Sequence, residues 1–226
     1  FSAHLVSNGA RHCTIYNGVS VHEINAVRSA TDRNRKRDEL GLRDETFAVA
    51  CVGRCHESKG HADLLQAASR LRERCPHLVV LIVGDGPLKP VLEKRVRENG
   101  LESRVRFLGY RQDVTEILTA CDAFVLPSRF EGFGLAIAEA MAAALPVVST
   151  DLPSIRELVE DGASGLLVPP RRPDDLAEAM EKLAGSPALR RRLGEAGRKR
   201  VQERFSSTMV ARQYEQLYRG LMRNHA

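Results

Sequence analysis

The sequence predicts an α/β fold, a parallel sheet with helices on both faces, and three observations carry that expectation. Short apolar runs recur along the 226 residues, helix-length segments separate them, and glycine or proline marks most junctions. Strands alternating with helices form βαβ units, and the strands of a parallel sheet are buried on both faces, so they read as continuous apolar runs. One domain, residues 1–226, fits a chain of this length without a low-complexity tract.

Strands are expected at HCTIY (12–16), FAVACVG (47–53), LVVLIVG (78–84), RVRFLG (104–109), AFVLP (123–127), PVVST (146–150) and GLLVP (165–169). Between them, GHADLLQAASRLRERC (60–75) places Leu64, Leu65, Ala68 and Leu71 at helical spacing and stops before Pro76. PLKPVLEKRVRENG (87–100) carries its prolines in the first turn and its glycine at the end, as a helix should. QDVTEILTAC (112–121), GLAIAEAMAAA (134–144) and SIRELVE (154–160) complete the alternation. From about residue 173 the tail reads as helical: PDDLAEAMEKLAG, then ALRRRLGEAGRKRVQERF, then the amphipathic SSTMVARQYEQLYRGLM.

Composition excludes several classes. A hydrophobic fraction of 43% with 28% charged residues is that of a packed soluble protein. No apolar run approaches the roughly 20 residues that span a bilayer. FSAHLVSNGARH, at the start, lacks a charged segment followed by an apolar one, so a cytoplasmic location is expected. The five cysteines (Cys13, Cys51, Cys55, Cys75, Cys121) are scattered and odd in number, which fits reduced thiols. Cys51, Cys55, His56 and His61 crowd together and could bind zinc, but Cys51 lies in an apolar run that faces a core, so no metal is expected there. Net charge of +5 modestly favours anionic partners. The basic excess lies in DRNRKRDE (32–39) and RRRLGEAGRKR (190–200), where interleaved acidic residues suggest solvated helix faces. Without aromatic interleaving or a reading motif, no nucleic-acid partner is expected.

Ligands of open parallel sheets bind beyond the carboxyl ends of the strands, so the strand exits are where chemistry is sought. VGRCHESKG (52–60) offers Gly53 for close backbone approach, with Arg54 and Lys59 as two cations suited to a diphosphate. Two solvated surface cations are the plain alternative. VGDGP (83–87) lacks the third glycine of a dinucleotide fingerprint, because Lys89 stands there, which disfavours a dehydrogenase and leaves a tight turn before a helix. In FLGYRQDV (107–114), Gly109 permits close approach, and the backbone of Tyr110, Arg111 and Gln112 could meet the edge of a base. The exit at Pro127 to Phe133 leads into a helix near Gly134, whose unpaired N–H groups suit an anion. Glu131 and Glu139 flank that anion site. A carboxylate against a diphosphate is repelled, so each is expected to accept hydrogen bonds from hydroxyls. A glycosidase acid/base pair, or two glutamates without a shared purpose, are the competing accounts.

Taken together, NGV (17–19), VGRCHESKG, VGDGP, RFLGY (106–110) and above all EGFGLAIAE (131–139) resemble the retaining GT-B glycosyltransferases of family 4, also called glycosyl transferases group 1. The resemblance covers nearly the whole chain and implies a Rossmann-like domain, one half of a GT-B fold, that binds a nucleoside diphosphate sugar. By that analogy Arg54 and Lys59 hold the diphosphate. Glu131 with the backbone of Phe133, Gly134 and Leu135 grips the sugar, and Glu139 takes the ribose diol. The family needs no metal or other cofactor for transfer, and it retains configuration at the anomeric carbon.

Family members also carry an amino-terminal domain that binds the acceptor. This chain has no initial Met and goes almost directly to NGV, so it reads as the carboxyl-terminal half alone. That half is expected to bind the donor without transferring sugar, and to leave its last helix short of a packing partner. The missing half is then a partner, together with any peripheral membrane association it brings. A GT-B-fold epimerase acting on sugar nucleotides and a non-catalytic nucleotide-binding module remain as alternative functions.

Overall fold

The computed structural model describes residues 13–223. Six strands form one sheet: β1 (Phe47–Val52), β2 (Leu78–Val83), β3 (Val105–Gly109), β4 (Ala123–Leu126), β5 (Val147–Thr150) and β6 (Leu166–Val168). Every pairing is parallel and the order is β3-β2-β1-β4-β5-β6. β1 and β2 pair along their whole length, from Phe47 opposite Leu78 to Val52 opposite Val83. FAVACV and LVVLIV are buried on both faces almost throughout, which is why they read as unbroken apolar runs.

Ten helices occupy the described residues: α1 (Val21–Ala30), α2 (Arg33–Glu39), α3 (His61–Arg70), α4 (Lys89–Glu98), α5 (Val114–Ala120), α6 (Leu135–Ala142), α7 (Pro153–Leu158), α8 (Pro173–Gly185), α9 (Pro187–Arg204) and α10 (Ser207–Arg223). Successive strands run outward in opposite directions on the two sides of the β1/β4 junction. Right-handed crossovers therefore place α3 and α4 on one face and α5 and α6 on the other. The β1/β4 junction is the topological switch point, the place beside which open parallel sheets bind their ligands.

The structure departs from the sequence expectations in three places. No strand forms at 13–16, and His12 lies outside the described residues, as does the stretch 1–12 read for a leader. Tyr16 instead packs its ring on Phe205 (5.5 Å) and Phe133 (6.3 Å), and nearby Val19 makes an isolated bridge beside Ser206. α1 falls where no helix was assigned, whereas α2 covers the run 32–39 that was read as a solvated helix face. α2 is capped by Asp32, whose carboxylate accepts from the N–H groups of Asn34 and Arg35.

The third departure is the basic run 32–39, which is not a wholly solvated face. Lys36 and Arg37 are buried. Arg37 donates to the carbonyls of Ala120, Arg43 and Thr46 and to the Asp122 carboxylate. Lys36 bonds Asp113 at 2.6 Å and Glu116 at 2.8 Å, which ties α2 to α5. The long stems let these cations cross apolar surface and reach polar groups beneath the helix, a path that residue type alone does not disclose.

Cys51, Cys55, Cys75 and Cys121 are buried and free, and burial pushes the Cys51 and Cys121 thiols up to about 12. Among the described residues no helix is long and apolar enough to cross a membrane. α10 ends the described chain with Tyr214, Tyr218, Leu221 and Met222 exposed.

Candidate functional site

The loops leaving β1 and β4 lock together at the switch point. After β1, residues Glu57–Lys59 make a single 3-10 turn, capped by His56, whose Nδ1 accepts from the Ser58 N–H. Gly60 ends that turn with φ +68 and lies so close to the next loop that a Cβ would sit 1.9 Å from the Pro127 carbonyl oxygen. Only glycine fits there. The N–H groups of Arg129 and Phe130 both donate to the Ser58 carbonyl, at 2.7 and 3.2 Å, and Arg129 pairs with Asp63 at 3.1 Å. Two loops far apart in sequence thus form one rigid wall.

That wall brings Lys59 and Glu131 together. The Lys59 ammonium meets Glu131 Oε2 at 2.6 Å, and Ser128 Oγ donates to the same oxygen at 3.2 Å. Among the described residues both contacts fall on Oε2, which leaves Oε1 open to a ligand donor. Buried hydroxyls brace the loop below: Ser149 donates to the Leu126 carbonyl at 2.7 Å and Thr150 to that of Ser128. From the side, Ser154 donates to the Glu131 carbonyl at 2.6 Å.

Phe133 anchors the far end of the loop. Its ring is buried against Tyr16 and Phe205, so its backbone, not its side chain, is what the loop presents. Gly134 follows in the left-handed region, φ +89, and starts α6 without a side-chain cap. The first backbone donors of α6 therefore have no partner from a capping side chain, an arrangement that attracts anions. Leu135 is half-exposed beside them. One turn further, Glu139 is partly buried, has no side-chain hydrogen bond among the described residues, and its carboxyl is pushed up by burial. A desolvated carboxylate without a partner costs free energy that a ligand hydroxyl would recover.

The remaining predicted residues are more dispersed. Arg54 is exposed, with its stem beside Gly86 at the exit of β2, and it makes no ion pair among the described residues. A Cβ on Gly53 would sit in ordinary contact with the Lys59 stem at 3.7 Å. Gly109 does adopt a positive φ, and Tyr110 after it is 79% exposed. Arg111 is committed elsewhere: its guanidinium grips Asp113 with two bonds of 2.7 and 2.6 Å. That bond, ahead of the opposing effect of burial and with added help from Lys36, holds the Asp113 carboxyl well below its usual range. The pair turns Nε and Nη2 of Arg111 toward Asp113.

Sequence reasoning missed Ser128, Ser154, Tyr16 and Phe205. Ser154 was within reach of the same logic, since it lies at the exit of β5, which went unread. Tyr16 and Phe205 carried no local signal, because their meeting depends on the two ends of the domain crossing.

A Rossmann-like parallel sheet with a lysine, a carboxylate and an uncapped helix N-terminus at its switch point defines a class of α/β domain built to receive an anionic ligand at the strand ends. The chain belongs to the family "Glycosyl transferases group 1", which it matches over residues 32–200. It is 34% identical over 191 residues to alpha-D-kanosaminyltransferase of Streptomyces kanamyceticus, covering 84% of this chain and 49% of that one. Among solved structures, Anabaena HepE in complex with UDP and glucose superposes with a TM-score of 0.81 at 27% identity, over 90% of this chain and 55% of that one. The carboxyl-terminal domain of a group 1 glycosyl transferase from Francisella tularensis shares the fold, with a TM-score of 0.74 at 23% identity, over 84% of this chain and 100% of that domain. The chain thus spans about half the length of the longer relatives it matches.

Proposed function

We propose that this chain is the donor-binding half of a retaining glycosyltransferase that takes a sugar from a nucleoside diphosphate sugar. The observation that carries the reading is the switch-point constellation. Lys59 and the open amides of α6 face the position of a diphosphate, while Glu131 Oε1 and the partnerless Glu139 are left to accept from hydroxyls on either side of it. Family membership and the UDP and glucose bound by HepE support it.

In this reading Lys59 and Arg54 hold the two phosphates, and the backbone of Phe133, Gly134 and Leu135 with Glu131 holds the sugar. Glu139 takes the ribose diol, and the backbone of Tyr110 and Arg111 meets the base. In transfer, the bond from the anomeric carbon to the diphosphate oxygen breaks as the acceptor hydroxyl bonds to that carbon on the same face and passes its proton to the departing diphosphate oxygen. The departing diphosphate carries the electron pair. Lys59, Arg54 and the helix amides stabilise that charge, in place of a metal ion. The acceptor and the second wall of the cleft come from an amino-terminal half.

The test is a titration of UDP, GDP, ADP and NAD into the chain with EDTA present, repeated on Lys59→Ala and Arg54→Ala. A nucleoside diphosphate should bind best, and each substitution should weaken it about ten-fold, as charge-assisted hydrogen bonds are lost. Unchanged affinity in both folded variants, or a demand for divalent metal, would sink the assignment. Joined to an amino-terminal half, the domain should transfer sugar in EDTA; robust transfer by the chain alone would overturn the two-half reading.

A further inference from the structure

Glu131 is held at its backbone as well as its carboxylate, and the two holds differ in kind. The carboxylate contact to Lys59 involves a residue assigned to the diphosphate. When Lys59 turns toward phosphate, that contact weakens. The backbone contact comes from Ser154, whose hydroxyl donates to the Glu131 carbonyl at 2.6 Å.

The carbonyl belongs to the peptide that links Glu131 to Gly132. Gly132 is exposed, and a Cβ built on it would meet nothing within 4 Å, so the packing around it does little to fix that peptide. A peptide next to glycine has wide rotational freedom. Ser154 supplies the polar contact that removes it, and among the described residues it makes the one side-chain hydrogen bond from α7 to this loop. α7 is itself firmly seated. Ile155 and Leu158 are fully buried, and Arg200 donates to the carbonyls of Glu157 (3.0 Å) and Leu158 (2.9 Å).

We infer that Ser154 is a positioning residue that fixes the Glu131 peptide, aims Oε1 at the sugar, and so makes the site discriminate a sugar-bearing donor from the bare nucleoside diphosphate. This rests on the donor-site reading above. Ser154 acts only through Glu131, so its removal should be felt at the sugar end and not at the phosphates.

The experiment is calorimetric titration of wild type, Ser154→Ala and Ser154→Thr with UDP and UDP-glucose, GDP and GDP-mannose, and ADP and ADP-glucose. Comparison is made within the pair that wild type binds most tightly. Ser154→Ala should bind the nucleoside diphosphate within about two-fold of wild type and lose about five-fold toward the sugar nucleotide, the worth of one intramolecular hydrogen bond. Ser154→Thr, which keeps the hydroxyl, should recover most of that loss. Equal loss toward both ligands, or none toward either, overturns the role of Ser154 while leaving the donor site standing. Failure of wild type to bind any of the pairs overturns both.

Discussion

Lys36 and Lys59 each bring an ammonium to 2.6 Å from a carboxylate, yet they serve different ends. Lys36 is 8% exposed and meets Asp113, Glu116 and Glu39; Asp113 in turn is gripped by Arg111. Burial alone would lower the Lys36 ammonium, but these hydrogen bonds outweigh it and hold the group above its usual range. Its donors are all used within the fold. Lys59 is 23% exposed, stands at the exit of β1, and among the described residues has the single ion-pair partner Glu131. Donors and acceptors remain open on both members of that pair. Proximity of charges therefore does not by itself mark a site; what sets the Lys59 pair apart, and supports the proposed donor site, is unused hydrogen-bonding capacity at a strand exit.

The comparison breaks most visibly in stability. Lys36→Met takes the ammonium from Asp113 and Glu116, and because Arg111 still grips Asp113 and Glu116 is partly solvated the cost should be about 3 kcal/mol, the low end for breaking a buried pair. Lys59→Ala should cost less, about 1 to 2 kcal/mol, because Lys59 is partly exposed and the Ser128 hydroxyl still meets the buried Glu131 carboxylate. Urea denaturation of both variants checks this. Equal losses would mean that the Lys59 pair is as structural as the Lys36 cluster.

His61 sharpens the comparison, being buried like Lys36 but with neither ring nitrogen hydrogen-bonded. Burial first and the Lys59 charge second lower its imidazole from 6.5 to about 4. The unfolded chain then binds the proton more readily than the folded one, so stability is intact above 6.5 and falls as pH drops toward 4. The loss should reach about 3 kcal/mol. His61→Leu should abolish that part of the acid dependence and be no less stable at pH 7; an unaltered acid profile in chemical denaturation counts against it.

The smallest effect belongs to Glu139. Its carboxyl is raised by burial, so ionisation opposes folding: the folded state binds the proton more tightly, and stability declines as pH rises from the ordinary carboxylate value through the raised one. Glu139→Gln should thus be slightly more stable at neutral pH. It should also bind the ribonucleotide about three-fold more weakly and prefer it less over the 2′-deoxy analogue. Undiminished ribose preference would assign the diol to another residue.

Much of this was legible along the chain. The apolar runs at β1 and β2 declare strands buried on both faces, and Gly134 followed by an alanine-rich stretch declares the start of α6. Lys59, Glu131, Gly134 and Glu139 could be named as candidates because each stands at a strand exit or in the first turns beyond one, and the spacing that places them is local. The strand expected at 12–16 failed because an apolar run does not say whether a ladder or an aromatic cluster will receive it.

What the sequence by itself determined is therefore the alternation of strands and helices from β1 onward, the glycine-marked turns at the strand exits, and the family, since these follow from patterns within about ten to thirty residues. Tertiary structure alone decided that Lys59 would pair with Glu131, that Ser154 would hold the Glu131 peptide, that Tyr16 and Phe205 would seat Phe133, and that Lys36 and Arg37 would be buried. Each of those depends on which strands become neighbours and on how far a long side chain reaches once they do. Neighbours in the sheet are set by its crossovers, and no local spacing encodes the contacts that result.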